Sequence, residues 1–305
     1  MGDRNMLPTL PNTPSHSRVW RVIHYPLVLL VLGVITVAAA AFLSALVRPF
    51  FPIERDGRLA ILFSCCAAGI FMGAYALFVR WIERRPVDEL GTRNWAGELG
   101  WGLLAGLLLF SVVIGIIALL GGYRVIGSNP PSALYPAVAI AITSGVTEEI
   151  VLRGLFFRLV ERLAGSWIAL ALSAALFGAL HLANPNATLF AGFAIALEAG
   201  VMLAALYMVT RRLWAAIGLH AAWNLAQGGI YGVAVSGFDM GGLFRPRIAG
   251  PDLLTGGTFG AEASLPAIAV CTSFGIALLV VARRRGRIVQ PSWVRRRDQR
   301  AALQE

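Results

Sequence analysis

Eight runs of apolar residues, most near 20 residues long, limit what this chain can fold into; they fall at 25–47, 59–82, 98–121, 134–153, 166–183, 187–210, 213–228 and 263–282. A backbone in hydrocarbon must satisfy its own N–H and C=O groups, so such runs read as spanning helices. With 57% of residues hydrophobic and 14% charged, the composition also lies outside the soluble-domain range. The expected fold is all-α, a polytopic membrane helix bundle of about eight transmembrane helices.

The first run follows Arg18 and Arg21 and ends Ala-rich like a signal peptide. It exceeds the roughly 7–15 apolar residues of a signal-peptide core, so it reads as a retained anchor. All 26 basic residues are arginine, against 16 acidic ones, and the net charge of +10 must sit outside the lipid core. With both termini inside, cytoplasmic segments hold 19 arginines and external segments six (Arg48, Arg55, Arg58, Arg124, Arg245 and Arg247), leaving Arg153 at membrane depth. The positive-inside rule therefore predicts a cytoplasmic N-terminal segment (1–24), a transmembrane domain (25–282) and a basic cytoplasmic tail (283–305) facing anionic lipid. No nucleic-acid-binding module accompanies that tail, so nucleic acid is not an expected partner. Residues 83–97, ERRPVDELGTRNWAG, form a charged cytoplasmic connection, and residues 229–262 an irregular, glycine- and proline-rich external loop placed to act as a lid. Gly69 and Gly73, spaced i,i+4, predict close helix packing. Cys65, Cys66 and Cys271 show neither redox nor zinc spacing, and the absence of an internal repeat weighs against a transporter of inverted halves. Oligomeric state is left open.

Ionisable groups at membrane depth are costly, and mark function when they face the bundle interior. The runs contain Glu148, Glu149, Arg153, His181, Glu198 and His220, with Asn224 as a neutral polar partner. Glu149 and Arg153 stand four apart on one helix and can neutralise each other. Glu148 lies about 100° round the same helix and is free to face a cavity. Phe177 with His181, and His220 with Asn224, repeat the i,i+4 spacing on two further helices. A buried salt-bridge cluster locking helices is the bland reading of the charged trio; two imidazoles, a free carboxylate and an amide on three helices point instead to a hydrolytic site. A carboxylate can take a proton from water, an imidazole can orient that water or bind a metal, and an amide N–H with a second imidazole can hold an oxyanion. A zinc site of Glu148, His181 and His220 would leave an open fourth position. Counted at ~1.5 Å per residue, Glu148 and His220 lie ~8 and ~10 Å from the inner ends of their runs, but His181 ~22 Å. The fourth helix is therefore expected to continue through FFRLVERL into the cytoplasm and the fifth to begin below the membrane surface, bringing His181 level with Glu148.

At these residues the chain resembles the CPBP family, also called ABI, which includes type II CAAX prenyl endopeptidases and bacterial lysostaphin-resistance proteins. Its motifs EExxxR, FxxxH and HxxxN occur in order as Glu148-Glu149-Ile150-Val151-Leu152-Arg153, Phe177-Gly178-Ala179-Leu180-His181 and His220-Ala221-Ala222-Trp223-Asn224. The flanking runs RRPVDELG, HLANPNA and LYMVTRRLWAAIGLHAAWN extend the resemblance over roughly residues 80–228, with a catalytic core at about 134–228. The resemblance implies an intramembrane endopeptidase of a bacterial plasma membrane, acting on membrane-associated protein or peptide substrates. Glu148 would activate water with His181 as its partner, Glu149 and Arg153 would form a stabilising ion pair, and His220 with Asn224 would stabilise the transition state. It implies a zinc metalloprotease or a metal-free glutamate mechanism, and both stand. The rival readings are a non-catalytic protein that protects a partner, as bacteriocin-immunity proteins do, and a proton-coupled transporter using the same carboxylates. Glu198 lies outside the three motifs; a hydrogen bond to a neighbouring helix is favoured over a proton site or metal ligand.

Overall fold

The computed structural model describes residues 18–54 and 56–303; the expectations for residues 1–17, with Arg4 and His16, for Arg55 and for residues 304–305 lie outside them. Helix α1 (Arg18–Ile23) leads into α2 (Pro26–Val47), which opens on a proline, a position where the missing N–H would have no helical partner anyway. Helix α3 (Arg58–Leu77) ends in a π-helical turn, and α4 (Trp95–Leu119) precedes strand β1 (Tyr123–Ser128). Helix α5 (Leu134–Glu149) continues through a π-helical stretch, Ile150–Phe157, into α6 (Arg158–Ala164). Helix α7 (Ser166–His181) follows; α8 (Leu189–Ile195) and α9 (Val201–Thr210) flank the π turn Ala196–Gly200; and α10 (Trp214–Asn224) runs into the π turn Leu225–Ile230. Strand β2 (Phe244–Ile248), the short α11 (Asp252–Thr255), α12 (Leu265–Arg284) and α13 (Ser292–Ala302) complete the order.

Among the described residues six helices are long and apolar enough to cross a membrane: 26–50, 58–82, 95–119, 131–164, 189–210 and 265–284. The molecule is thus an integral membrane helix bundle, with six long helices where eight spans were expected. The other two are present as shorter helices: α7 has 16 residues, and α10 has 11 with six more in its π-helical continuation, or ~24 and ~25 Å against a hydrocarbon core of ~30 Å. Helix α10 is buried almost throughout; lying inside the bundle, it has protein rather than lipid to meet on most sides. The fourth helix does continue through FFRLVERL, as expected, and ends at Ala164 because Gly165 turns the chain at φ 82°, a conformation that favours glycine.

What holds α10 in place is the absence of side chains along α4. A Cβ at Gly102 or Gly106 would lie 2.2 Å from the carbonyl oxygens of Ala215 and Leu219, and one at Gly218 would lie 2.4 Å from that of Leu99. These small residues allow backbone-to-backbone packing of two helices. Gly69 and Gly73, expected to do this, have nothing within 4 Å of a built Cβ; their spacing is right, but they lie on an exposed face of α3.

The two arginine groups separate across the bundle. At one end Arg158 donates to the buried Glu83, Arg85 bridges Glu83 and Glu89 at 2.8 and 2.9 Å, Arg211 pairs with Glu161, and Arg212 pairs with Glu98 at 2.8 Å. The connection 83–97 is therefore a docked segment, tied to α10 by Leu213 N–H to Glu89 C=O and Trp214 Nε1–H to Gly91 C=O. The basic tail joins the same end, through Arg295 to the Arg162 carbonyl at 2.7 Å and Val289 N–H to Ser166 Oγ at 2.8 Å. At the far end of α4, ~37 Å away along its 25 residues, β1 and β2 form an antiparallel ribbon pairing Arg124 with Arg247. Residues 229–262 are mostly irregular but carry β2, which pairs with β1, and the short α11; alternating residues were too few to signal the two strands.

Burial alone would raise the Glu83 carboxyl, but the charges and hydrogen bonds of Arg158 and Arg85 outweigh it and hold it below the ordinary carboxylate range. Such a group contributes stability that is present above its unfolded-state pKa and lost as pH falls through the folded one. The difference in thermal stability in detergent between wild type and Glu83→Gln should therefore be constant above about pH 5 and shrink under more acidic conditions. In the same assay Gly106→Val should destabilise by about 1–3 kcal/mol through forced separation of α4 and α10, whereas Gly73→Ala should be near neutral.

Candidate active site

The last turn of α5 carries Glu148 and Glu149, and the π-helical stretch beginning at Ile150 carries Arg153. Arg153 Nη1 donates to Glu149 Oε1 at 2.8 Å, with both side chains 0% exposed. The guanidinium also donates through Nη2 to the Ala199 and Gly200 carbonyls at 3.2 and 3.3 Å, and its Cζ sits 4.9 Å from the Phe177 ring centroid, a cation–π distance. The expected ion pair is thus formed through Nη1, Nη2 is held by the two carbonyls, and Nε is left without a hydrogen-bond partner.

Glu149 has a second partner that the spacing of residues did not reveal. His220 Nδ1 lies 2.9 Å from the same oxygen, Oε1, so Nδ1 carries the proton and donates it to the carboxylate. The ring's other nitrogen, Nε2, points towards Glu148 Oε2 at 3.8 Å, beyond hydrogen-bond length. Glu148 Oε2 has no hydrogen-bond partner. On α7, His181 Nδ1 donates to the Phe177 carbonyl at 2.8 Å, which leaves its Nε2 as an acceptor. Phe177 packs against both imidazoles, with ring centroids 4.7 Å from His181 and 6.1 Å from His220. One turn beyond His220, Asn224 Nδ2 donates to Ser144 Oγ at 2.9 Å, using one of its two N–H groups.

Glu148, His181, His220 and Asn224 all line one cavity of about 220 Å³; Glu149 and Arg153 stand behind its wall. Four helices supply the polar groups, while Ile140, Met202, Leu203 and Trp223 make much of the remainder apolar. Val235, Ser236, Phe238 and Met240, from the segment expected to act as a lid, complete the wall. Ser144 stands one helical turn before Glu148, so its partnership with Asn224 had a readable i,i+4 signal; Gln227 and Glu262, brought in by irregular turns, had none. Glu198 lines the cavity as well, and shares a hydrogen bond with the Cys271 thiol of α12, the helix-to-helix bond that was favoured for it.

The expected zinc ligands, Glu148, His181 and His220, do not form a ready metal site. Among the described residues no three His, Cys, Asp or Glu side chains stand close enough to share one ion. Each imidazole has one nitrogen committed, to Phe177 or to Glu149, and the three remaining donor atoms face the cavity without converging on a point.

No curated protein and no solved structure matches this chain. One family model does, that of the type II CAAX prenyl endopeptidases, Rce1-like, over residues 130–226, a segment that contains Glu148, Glu149, Arg153, His181, His220 and Asn224. The chain is similar over that segment to an Rce1-like CAAX protease domain, in keeping with the CPBP family.

Proposed function

We propose that the protein is an intramembrane endopeptidase that hydrolyses peptide bonds of membrane-associated proteins or peptides. The observation that carries this reading is the convergence of Glu148, His181, His220 and Asn224, from three separate stretches of sequence, on one largely apolar cavity. A water between Glu148 Oε2 and His181 Nε2 would find an acceptor on each side. Glu148 would take its proton as the oxygen attacks the carbonyl carbon, then return that proton to the departing amine. His220, held by Glu149, would present Nε2–H as an imidazolium to the oxyanion, beside the uncommitted N–H of Asn224. Water activation in this scheme uses only side chains of the chain itself.

The roles separate by mutation. Glu148→Gln keeps shape and loses the proton acceptor, so cleavage of a peptide library by protein in lipid nanodiscs, read by mass spectrometry, should fall at least ~100-fold with thermal stability little changed. His181→Ala should act in the same direction. Arg153→Met should instead cost about 3–5 kcal/mol of stability, because Glu149 would be left as a buried uncompensated charge. Undiminished cleavage by Glu148→Gln overturns the water-activating role. A cellular function that survives Glu148→Gln but fails when residues 235–240 are replaced would point to partner protection. Activity that disappears under chelation and returns with zinc alone would add a metal to the scheme.

A further inference from the structure

Among the described residues six glutamates are buried: Glu83, Glu89, Glu149, Glu161, Glu198 and Glu262. The first four each have an arginine within ion-pair distance. Glu198 and Glu262 have no ion-pair partner among the described residues, although they are only 1% and 2% exposed. Both line the cavity that holds Glu148, and no arginine does. In a chain with 26 arginines, two buried carboxylates without one are a costly exception.

They reach the cavity from elements that carry none of the other site residues: Glu198 from the π turn Ala196–Gly200, and Glu262 from the turn Ala261–Ala263 just before α12. Glu262 accepts from the Ser236 N–H and from the Gln227 side chain. Burial still pushes its carboxyl up to about 7 against those hydrogen bonds. Glu198 is hydrogen-bonded to the Cys271 thiol, yet its Oε2 has no partner, and neither does Oε1 of the fully buried Gln227. His220 acts electrostatically on Glu262 across the cavity, but neither glutamate has an ion-pair partner among the described residues, and the buried Glu198 Oε2 is an acceptor without a donor.

We propose that Glu198 and Glu262 form a subsite for a cationic group, the side chain of a lysine or arginine close to the bond that Glu148 would cleave. This rests on the peptidase reading for its place in a reaction, but the binding itself does not. An ammonium carries three donors and no acceptor, matching the unpartnered oxygen of Glu198 together with the Glu262 carboxylate, both on the cavity wall. Met202 and Leu203 offer apolar surface to its methylene stem.

The test has two arms, both on the full-length protein. In the first, matched peptides differ only by lysine or norleucine at each position around the cleaved bond. Wild type should prefer one lysine position by about tenfold or more in kcat/KM, and Glu198→Gln/Glu262→Gln should bring that ratio close to one. The ratio is internal to each variant, so a partly unfolded variant cannot mimic the result, and the wild-type ratio is informative alone. In the second arm, n-butylammonium at pH 8 should raise the thermal stability of Glu148→Gln protein where n-butanol does not, and the shift should vanish in Glu198→Gln/Glu262→Gln. Cleavage without lysine preference, together with no ammonium-specific shift, overturns the subsite and leaves the peptidase standing. An ammonium-specific shift without cleavage of any peptide keeps the subsite and removes the peptidase.

Discussion

One oxygen organises the centre of this protein. Glu149 Oε1 accepts from Arg153 at 2.8 Å and from His220 at 2.9 Å, tying the α5 helix and its π-helical continuation to α10. Removing a carboxylate, a guanidinium and an imidazole from water carries a large desolvation penalty, which only good geometry and further hydrogen bonds offset. The guanidinium's Nη2 reaches backbone carbonyls of the π turn before α9, and its face covers Phe177, which in turn packs on both imidazoles. Fixing Glu149 thereby fixes the ring orientation of His220 and the floor under His181. Glu148, its neighbour in sequence, points about 100° round the helix from Glu149 and is left to the cavity.

Such a centre needs helices that approach unusually closely and turn irregularly. The glycine seam of α4 and α10 brings backbone against backbone, which leaves His220 and Asn224 to face α5 and the cavity. Three of the four helices around the cavity also carry a π-helical segment next to or over a polar residue: Ile150–Phe157 after Glu149, Ala196–Gly200 around Glu198, and Leu225–Ile230 after Asn224. A π turn shifts the register of side chains and is frequent at functional sites. Here it lets one helix bury residues on two different faces.

Apolar run length and i,i+4 spacing were enough to find the long helices, the Glu149–Arg153 pair and the free position of Glu148, because each depends on local geometry. What escaped was everything that depends on register between segments. Eight runs near 20 residues do not reveal which two form the shorter helices, α7 with much of one face exposed and α10 buried against α4 and α5. Gly69 and Gly73 have the same spacing as Gly102 and Gly106, and only the facing helix tells them apart. The Glu149–His220 bond spans 71 positions and carries no signature in either helix alone. Glu262 was hidden for a different reason: it sits in a stretch whose composition suggested a loop, and its burial follows from how β2, α11 and α12 fold back over the cavity.

The boundary of the family likeness divides the cavity in two. All the groups that would act on a peptide bond lie within residues 130–226, the matched segment. Val235, Ser236, Phe238, Met240 and Glu262, which also line the cavity, lie beyond it. Glu198, Met202 and Leu203 lie within it. The proposed cation subsite would therefore draw one carboxylate from each side of position 226, so that a wall built partly on the shared segment is completed by the segment that follows it. Function rests on such local sites rather than on the scaffold as a whole, and the residues past position 226 are where this chain's cavity is completed without help from the likeness.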